Sequence, residues 1–281
     1  MAIAVDGKKI ADKILDELRT EERIRRSFKR QQLVMASLMV GNSGPARSFS
    51  ASLERFANKI PVTLVPCWRS EDVNLRTILK TLREFSSNIA VGGILVHLPL
   101  PKQYENHREI VLDSINPLKD VGCLNPATDK VLPPAVETMK KILEETKFSL
   151  ENKKVVVLGA GILIGSPIIN YLSGRCAKVE VFRSKTANGA EYNSALRSAD
   201  LVVCGAGKPG ILDPSMIRPG AGVVDFGFGF KNEKPMGDLD TAADYLKDLG
   251  FYTPTPGGTG PILTAVVLEN FYKLTQQYKK V

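Results

Sequence analysis

The sequence predicts an α/β protein of two domains: a small N-terminal α/β domain completed by the C-terminal helix, and a dinucleotide domain on a parallel sheet. Three observations lead there. Strand-like and helix-like segments alternate through the first third of the chain. A glycine turn at Gly159–Pro167 joins an apolar run to an amphipathic stretch, and a long apolar-faced segment closes the chain after a proline–glycine turn. With 281 residues, 43% of them hydrophobic and 24% charged, the chain has material for two modest cores.

Ile10, Ile14 and Leu18 recur at helical spacing and open the chain with an amphipathic helix, followed by a strand near Leu33–Val40. Pro45–Asn58 reads as a second helix and Ile60–Val65 as a second strand. Leu75, Ile78, Leu79 and Leu82 mark a third helix, and Gly93–Val96 the next strand. The two Asn-Pro pairs at Asn116 and Asn125 bracket a turn-rich passage where the domains should divide. Residues 1–120 with 262–281 are expected in one domain and 121–261 in the other. The last helix, Pro261–Tyr278, carries Val266, Val267, Asn270 and Leu274 to pack against the first domain. That domain would then be discontinuous, with the expected ligand cleft between the halves.

The glycine turn carries the most chemistry. Lys154–Leu158 reads as a buried strand and Ile164–Leu172 as a helix. Between them Gly159, Gly161 and Gly165 let the backbone turn sharply and approach a diphosphate at the helix N-terminus, with Ala160, Ile162, Leu163 and Ile164 in the intervening slots. A tight turn without a ligand is the plain alternative; the flanking strand and helix favour a Rossmann-type nucleotide site. The next strand, Ala177–Phe182, runs into Arg183, Ser184 and Lys185. NAD readers place a carboxylate at this edge for the ribose hydroxyl. A guanidinium, a hydroxyl and an ammonium instead suit a 2′-phosphate, so NADP is the expected cofactor and NAD the alternative; without a ligand this is a solvated basic turn.

Composition narrows the remaining classes. The formal charge of +8 fits anionic cofactor and substrate. The densest basic run, Arg19–Arg30, also holds Glu21 and Glu22 and has Phe28 as its one aromatic, so it reads as a solvated helix face and no nucleic-acid partner is expected. No apolar stretch reaches membrane-spanning length, no signal-peptide core opens the chain, and Cys67, Cys123, Cys176 and Cys204 form no paired motif. A cytoplasmic protein without membrane partner or metal is the expectation, His97 and His107 standing outside any ligand cluster.

Several motifs then converge. Asp6–Ala11 (DGKKIA), Val40-Gly41 with Pro45-Ala46, Gly93–Pro101 (GILVHLPLP), Asn116–Val121 (NPLKDV), Gly159–Pro167, Ala199–Val203, Gly207–Pro209, Val223–Gly227, Gly237–Asp240 and Thr253–Thr264 occur in one order and spacing. Along nearly its whole length the chain resembles the methylenetetrahydrofolate dehydrogenase/cyclohydrolase family. The resemblance implies a two-domain homodimer acting on folate: hydride transfer from 5,10-methylenetetrahydrofolate to nicotinamide, then often hydrolysis of the methenyl product. It also implies that Gly205, Ala206 and Gly207 line the nicotinamide side. Ser50, Glu54, His97, Pro99, Asp120, Pro256 and Gly257 would then bind or border the substrate.

The departures from the family pattern cluster in the substrate half. Where the pattern expects Tyr and then Lys four residues on, the chain has Ser50 and Glu54; the pattern's Gln is His97, and the second Asp of its KDVDG motif is Gly122. Its Pro-Cys-Thr-Pro stretch appears as Pro133–Val136, and the Arg-Ser of its nucleotide turn as Ala160-Gly161. A carboxylate at 54 reverses the local field of an ammonium and accepts protons rather than donating them. Loss of the acid at 122 removes a charged pterin anchor, about 1.5–3 kcal/mol. The leading expectation is therefore an NADP-linked dehydrogenase with weak or absent cyclohydrolase activity. One alternative is a different small substrate handled by Glu54 and His97 as a catalytic pair; another is a non-catalytic nucleotide-binding or structural homologue.

Overall fold

The structure is a computed structural model that describes residues 2–27, 34–183 and 186–277. Ser184 and Lys185, the end of the basic run at 28–30, and Tyr278 lie outside them. In chain order the strands are β1 Ile3–Ala4, β2 Val34–Val40, β3 Thr63–Arg69, β4 Val91–Val96, β5 Lys154–Leu158, β6 Lys178–Phe182, β7 Leu201–Cys204, β8 Gly222–Asp225, β9 Gly229–Lys231, β10 Lys234–Met236 and β11 Phe251–Tyr252. The helices are α1 Gly7–Ser27, α2 Gly44–Ala57, α3 Leu75–Ser87, α4 Arg108–Asp113, α5 Pro134–Glu145, α6 Gly165–Leu172, α7 Gly189–Ser198 and α8 Thr259–Gln277. Among the described residues, no helix is long and apolar enough to cross a membrane.

The chain forms two compact units. The first comprises Ala11–Pro134 and Thr264–Val281, the second Met1–Ile10 and Ala135–Leu263. These limits differ from the boundaries at 120/121 and 261/262, for visible reasons. Residues 121–132 stay with the first unit because the Asn270 amide donates to the carbonyls of Val121 and Leu132 at 3.1 and 3.0 Å. The first ten residues belong to the second because β1 pairs in parallel with β11.

The first unit is built on the parallel sheet β3-β2-β4. Ala36, Leu38 and Val40 of β2 and Ile94 and Val96 of β4 face one core with Ile78 and Leu82 of α3. That alternation follows from the two-residue period of a strand. On the opposite face Gly93 lets Phe271 of α8 approach closely, for a Cβ there would sit 2.6 Å from its ring. The expected strand at Ile60–Val65 starts later, because Ile60 and Val62 are used in the turn that ends α2 (Ile60 N–H to Ala57 O, 3.2 Å; Val62 N–H to Ile60 O, 2.8 Å). Pro66 is accommodated in β3 because that strand lies at the sheet edge.

The second unit carries a six-stranded parallel sheet in the order β1-β11-β8-β7-β5-β6. Its central strands are apolar almost throughout, Val155–Leu158, Leu201–Cys204 and Gly222–Asp225 being buried, as a sheet covered on both faces requires. The antiparallel hairpin β9–β10 turns through Asn232 and Glu233, both at positive φ (51° and 61°).

Candidate active site

In the first unit, α2 turns Ala46, Ser50, Leu53 and Ala57 inward, a spacing that leaves Glu54 exposed. Its carboxylate makes no hydrogen bond or ion pair among the described residues, and nearby Lys59 pairs with Asp12 at 3.3 Å. His97 stands one residue beyond β4, its N–H bonded to Leu38 O at 2.9 Å. The imidazole is 5% exposed and its Nε2 lies 2.7 Å from Ser37 Oγ. Phe49 meets the ring edge-on at 6.1 Å. Burial pushes the imidazole down to about 4, so it is neutral near pH 7. The expected Glu54–His97 pair is corrected: the helix period carries Glu54 to solvent, and the histidine's partner is Ser37. Ser37 escaped notice in the sequence because it sits inside the apolar run of β2. Pro99 follows the cis Leu98–Pro99 bond and is exposed.

Asp120 also takes a different place from the one expected of a substrate ligand. It is 0% exposed, and its carboxylate accepts from Gly122 N (3.1 Å), Leu124 N (2.6 Å), Asn125 N (2.7 Å) and Thr128 Oγ1 (2.9 Å). Burial raises its pKa against those four donors. Four bonds to its own loop make Asp120 the organiser of residues 122–128, with no surface left for a ligand. Lys119 is likewise spent internally, its ammonium donating to the carbonyls of Phe85, Ser86 and Asn88 at the C-terminal end of α3, where a cation complements the helix dipole. Gly122 holds an ordinary negative φ, and a Cβ there would lie 3.3 Å from Leu124 Cγ, so a side chain enters with a small shift of that leucine.

The second unit presents the glycine turn at the C-terminal end of β5. Gly159 has φ +94° and a Cβ there would meet Gly205 O at 2.6 Å; a Cβ on Gly165 would meet Gly159 O at 2.0 Å. Only glycine lets strand, turn and helix close together in this way. Around Gly161, by contrast, the space is open. The turn is braced by Ser166, whose N–H donates to Gly161 O and whose hydroxyl donates to Ala160 O (3.0 and 2.9 Å). The N–H groups of Ala160, Gly161, Ile162 and Leu163 make no hydrogen bond among the described residues. Ile162 and Leu163 are exposed, and Ile164 packs over Gly205. Such free donors at a helix N-terminus are what a diphosphate needs. Arg183 is exposed just past β6 in a turn closed by Thr186; Ser184 and Lys185 lie outside the described residues.

Two buried acids that the sequence reading did not single out hold the neighbouring loops. Asp238, 0% exposed, accepts from the N–H groups of Ala206, Gly207 and Lys208 at 2.7, 3.3 and 2.6 Å. The donors of the 205–208 turn are therefore already used. Asp225, 1% exposed, accepts from Gly227 and Leu239 at 2.6 and 2.9 Å, while its main chain bonds the hydroxyls of Thr253 and Thr259. It thereby anchors the turn bearing Pro256, which follows a cis bond, and Gly257, at φ +105°; both are exposed. Burial pushes the Asp225 carboxyl up to about 7, the Asp238 charge adding to the rise and the Leu239 and Gly227 donors opposing it. Their signal in the sequence is the pair of motifs Val223–Gly227 and Gly237–Asp240, an acid two residues before a glycine and an acid directly after one.

Comparison with known proteins agrees with this geometry. Residues 5–122 match the catalytic domain of tetrahydrofolate dehydrogenase/cyclohydrolase, and residues 133–279 its NAD(P)-binding domain. The bifunctional protein FolD of Methanospirillum hungatei is 34% identical over 275 residues, 95% of each chain; that of Aliarcobacter butzleri is 32% identical over 291 residues, 99% of this chain and 98% of the relative. The crystal structure of bifunctional FolD from Campylobacter jejuni superposes with a TM-score of 0.89 at 27% identity, covering 99% of this chain and all of the other. The Trypanosoma brucei enzyme, complexed with NADP and an inhibitor, shares the fold with a TM-score of 0.92 at 24% identity, covering 100% and 99%. A dinucleotide cradle of unbonded N–H groups, a parallel sheet behind it and two domain matches spanning the chain lead to one conclusion: this protein belongs to the tetrahydrofolate dehydrogenase/cyclohydrolase family of NAD(P)-binding enzymes.

Proposed function

We propose that the protein oxidises 5,10-methylenetetrahydrofolate with NADP and that its cyclohydrolase activity is weak or lost. When bound, the nicotinamide supplies the hydride acceptor; the methylene carbon between N5 and N10 loses a hydride and the folate is left as the methenyl cation. This step asks the protein mainly for positioning. Hydrolysis asks for more: one group must take a proton from the attacking water, and N5 must receive one as its bond to carbon breaks. The observation that carries the reading is the chemistry at 54 and 97. Glu54 is an exposed carboxyl side chain where the family pattern has a lysine, and His97 is neutral and tied to Ser37. The free N–H groups of residues 160–163 support dinucleotide binding, and the exposed guanidinium of Arg183 supports NADP over NAD.

Purified protein supplied with methylenetetrahydrofolate and NADP or NAD tests this directly. NADPH should form while methenyltetrahydrofolate accumulates. Formyltetrahydrofolate appearing as fast as NADPH would remove the cyclohydrolase part, and no reduction of either cofactor would remove the whole reading.

A homodimer in the cytoplasm is part of the same proposal. The free edge of β3 exposes Val65 and Trp68, 41% and 46% accessible, a place where a second copy would cover apolar surface. The four cysteines are free, as a reducing compartment keeps them.

A further inference from the structure

We propose that Ser37 is a positioning residue that holds His97 in its Nδ1–H form, so that His97 meets an occupant of the site as a neutral hydrogen-bond donor. The backbone dictates the encounter. In the β2–β4 pairing Ser37 stands opposite Leu95, and His97, two residues on, points to the same face of the sheet. The result is the 2.7 Å contact between Ser37 Oγ and His97 Nε2, with the two residues 3% and 5% exposed.

Which atom donates follows from what else is within reach. The Ser37 hydroxyl has no second partner among the described residues. Were Nε2–H the donor, the hydroxyl proton would be buried without an acceptor, and an unmade donor is the costlier omission. With Ser37 donating, the buried hydroxyl proton is used and the ring proton must sit on Nδ1, which becomes the donor left over. That nitrogen has no partner among the described residues, nor is it one of their sealed polar atoms, so it is the one left for a ligand. The ligand group it fits is a neutral acceptor, such as a ring carbonyl, and not a proton in need of removal. This use of Nδ1–H rests on the proposed folate site; the tautomer itself does not.

The chain has two histidines, and His107 is exposed, so each signal is readily assigned. Long-range proton–nitrogen spectra of histidine-labelled protein at pH 7 should show His97 protonated at Nδ1. In Ser37→Ala the ring should revert mainly to the Nε2–H form of free histidine, while Ser37→Thr, which keeps the hydroxyl, should hold Nδ1–H. The KM for methylenetetrahydrofolate should rise several-fold in Ser37→Ala, with kcat changed less than twofold. An Nε2–H signal in the unmodified protein, or the same tautomer in Ser37→Ala, overturns the proposal; Ser37→Thr, folded and switched like Ser37→Ala, does so as well. Expected spectra without folate turnover would instead sink the proposed function and leave the role of Ser37 standing.

Discussion

The two units treat their buried polar groups in opposite ways. In the second, buried carboxylates hold loops and leave a row of backbone donors free at residues 160–163. In the first, the buried polar groups bond mainly within the fold: Asp120 accepts from four donors, Lys119 donates to three carbonyls, and His97 gives Nε2 to Ser37 and keeps only Nδ1 unpartnered among the described residues. A cradle made of backbone tolerates substitution at its variable slots, because N–H groups belong to every residue except proline. A pocket made of side chains has no such reserve. The departures at Ser50, Glu54, His97 and Gly122 therefore change the chemistry of the first unit, whereas Ala160-Gly161 leaves the turn of the second intact.

The contrast breaks most readily at the cradle. Gly165→Ala forces a Cβ to within 2.0 Å of Gly159 O unless strand and helix part. Calorimetric titration should show NADP affinity falling at least about 100-fold, or about 3 kcal/mol, with the fold retained by circular dichroism. Unchanged affinity would mean that the turn is not the nucleotide site.

A second measurement addresses His97. The unfolded histidine binds its proton near pH 6.5, the folded one only near pH 4. Between those values the unfolded chain holds more protons, so acidification favours unfolding. The stability present above pH 6.5 is lost on descending to about pH 4, by about 3 kcal/mol. Denaturant unfolding of His97→Gln at pH 7 and pH 4.5 should show a shallower acid loss than the unmodified protein. Parallel profiles would place the acid sensitivity elsewhere.

Arg183→Ala sharpens the cofactor assignment. It should weaken NADP about 10-fold to 100-fold while leaving NAD within a factor of two, as expected of one charge-assisted contact to a 2′-phosphate. Equal loss for both cofactors would move Arg183 away from the ribose. The smallest effect is expected from Gly122→Asp, which restores an acid where the family pattern has one. Leu124 yields to the added Cβ at 3.3 Å, and folate KM should fall about tenfold, the gain of one charged hydrogen bond.

The second unit was the more legible in the sequence. An apolar run, a glycine turn and a helix are local signals, and Lys154–Leu158 and Gly165–Leu172 came out nearly where expected. The pairing of β1 with β11 was not legible, since the two residues of β1 carry no periodicity and their partner lies 248 positions away (Ile3 with Phe251). In the first unit, Glu54 and His97 looked like a pair because both depart from one pattern. Three-dimensional direction decided otherwise: the buried positions of α2 are 46, 50, 53 and 57, and the sheet register brings Ser37 to the imidazole. Asp120 shows the same limit. Its identity was plain, but its bonds to residues 122–128 depend on how the following loop folds back.

Asp238 has a practical consequence for inhibitor chemistry. Because its carboxylate already saturates the amides of Ala206, Gly207 and Lys208, that turn behaves toward small molecules as a wall without acceptor-binding capacity. Compounds elaborated with sulfonates or carboxylates in that direction gain nothing there. Compounds bearing amides or amines can still use whatever carbonyl oxygens the turn exposes.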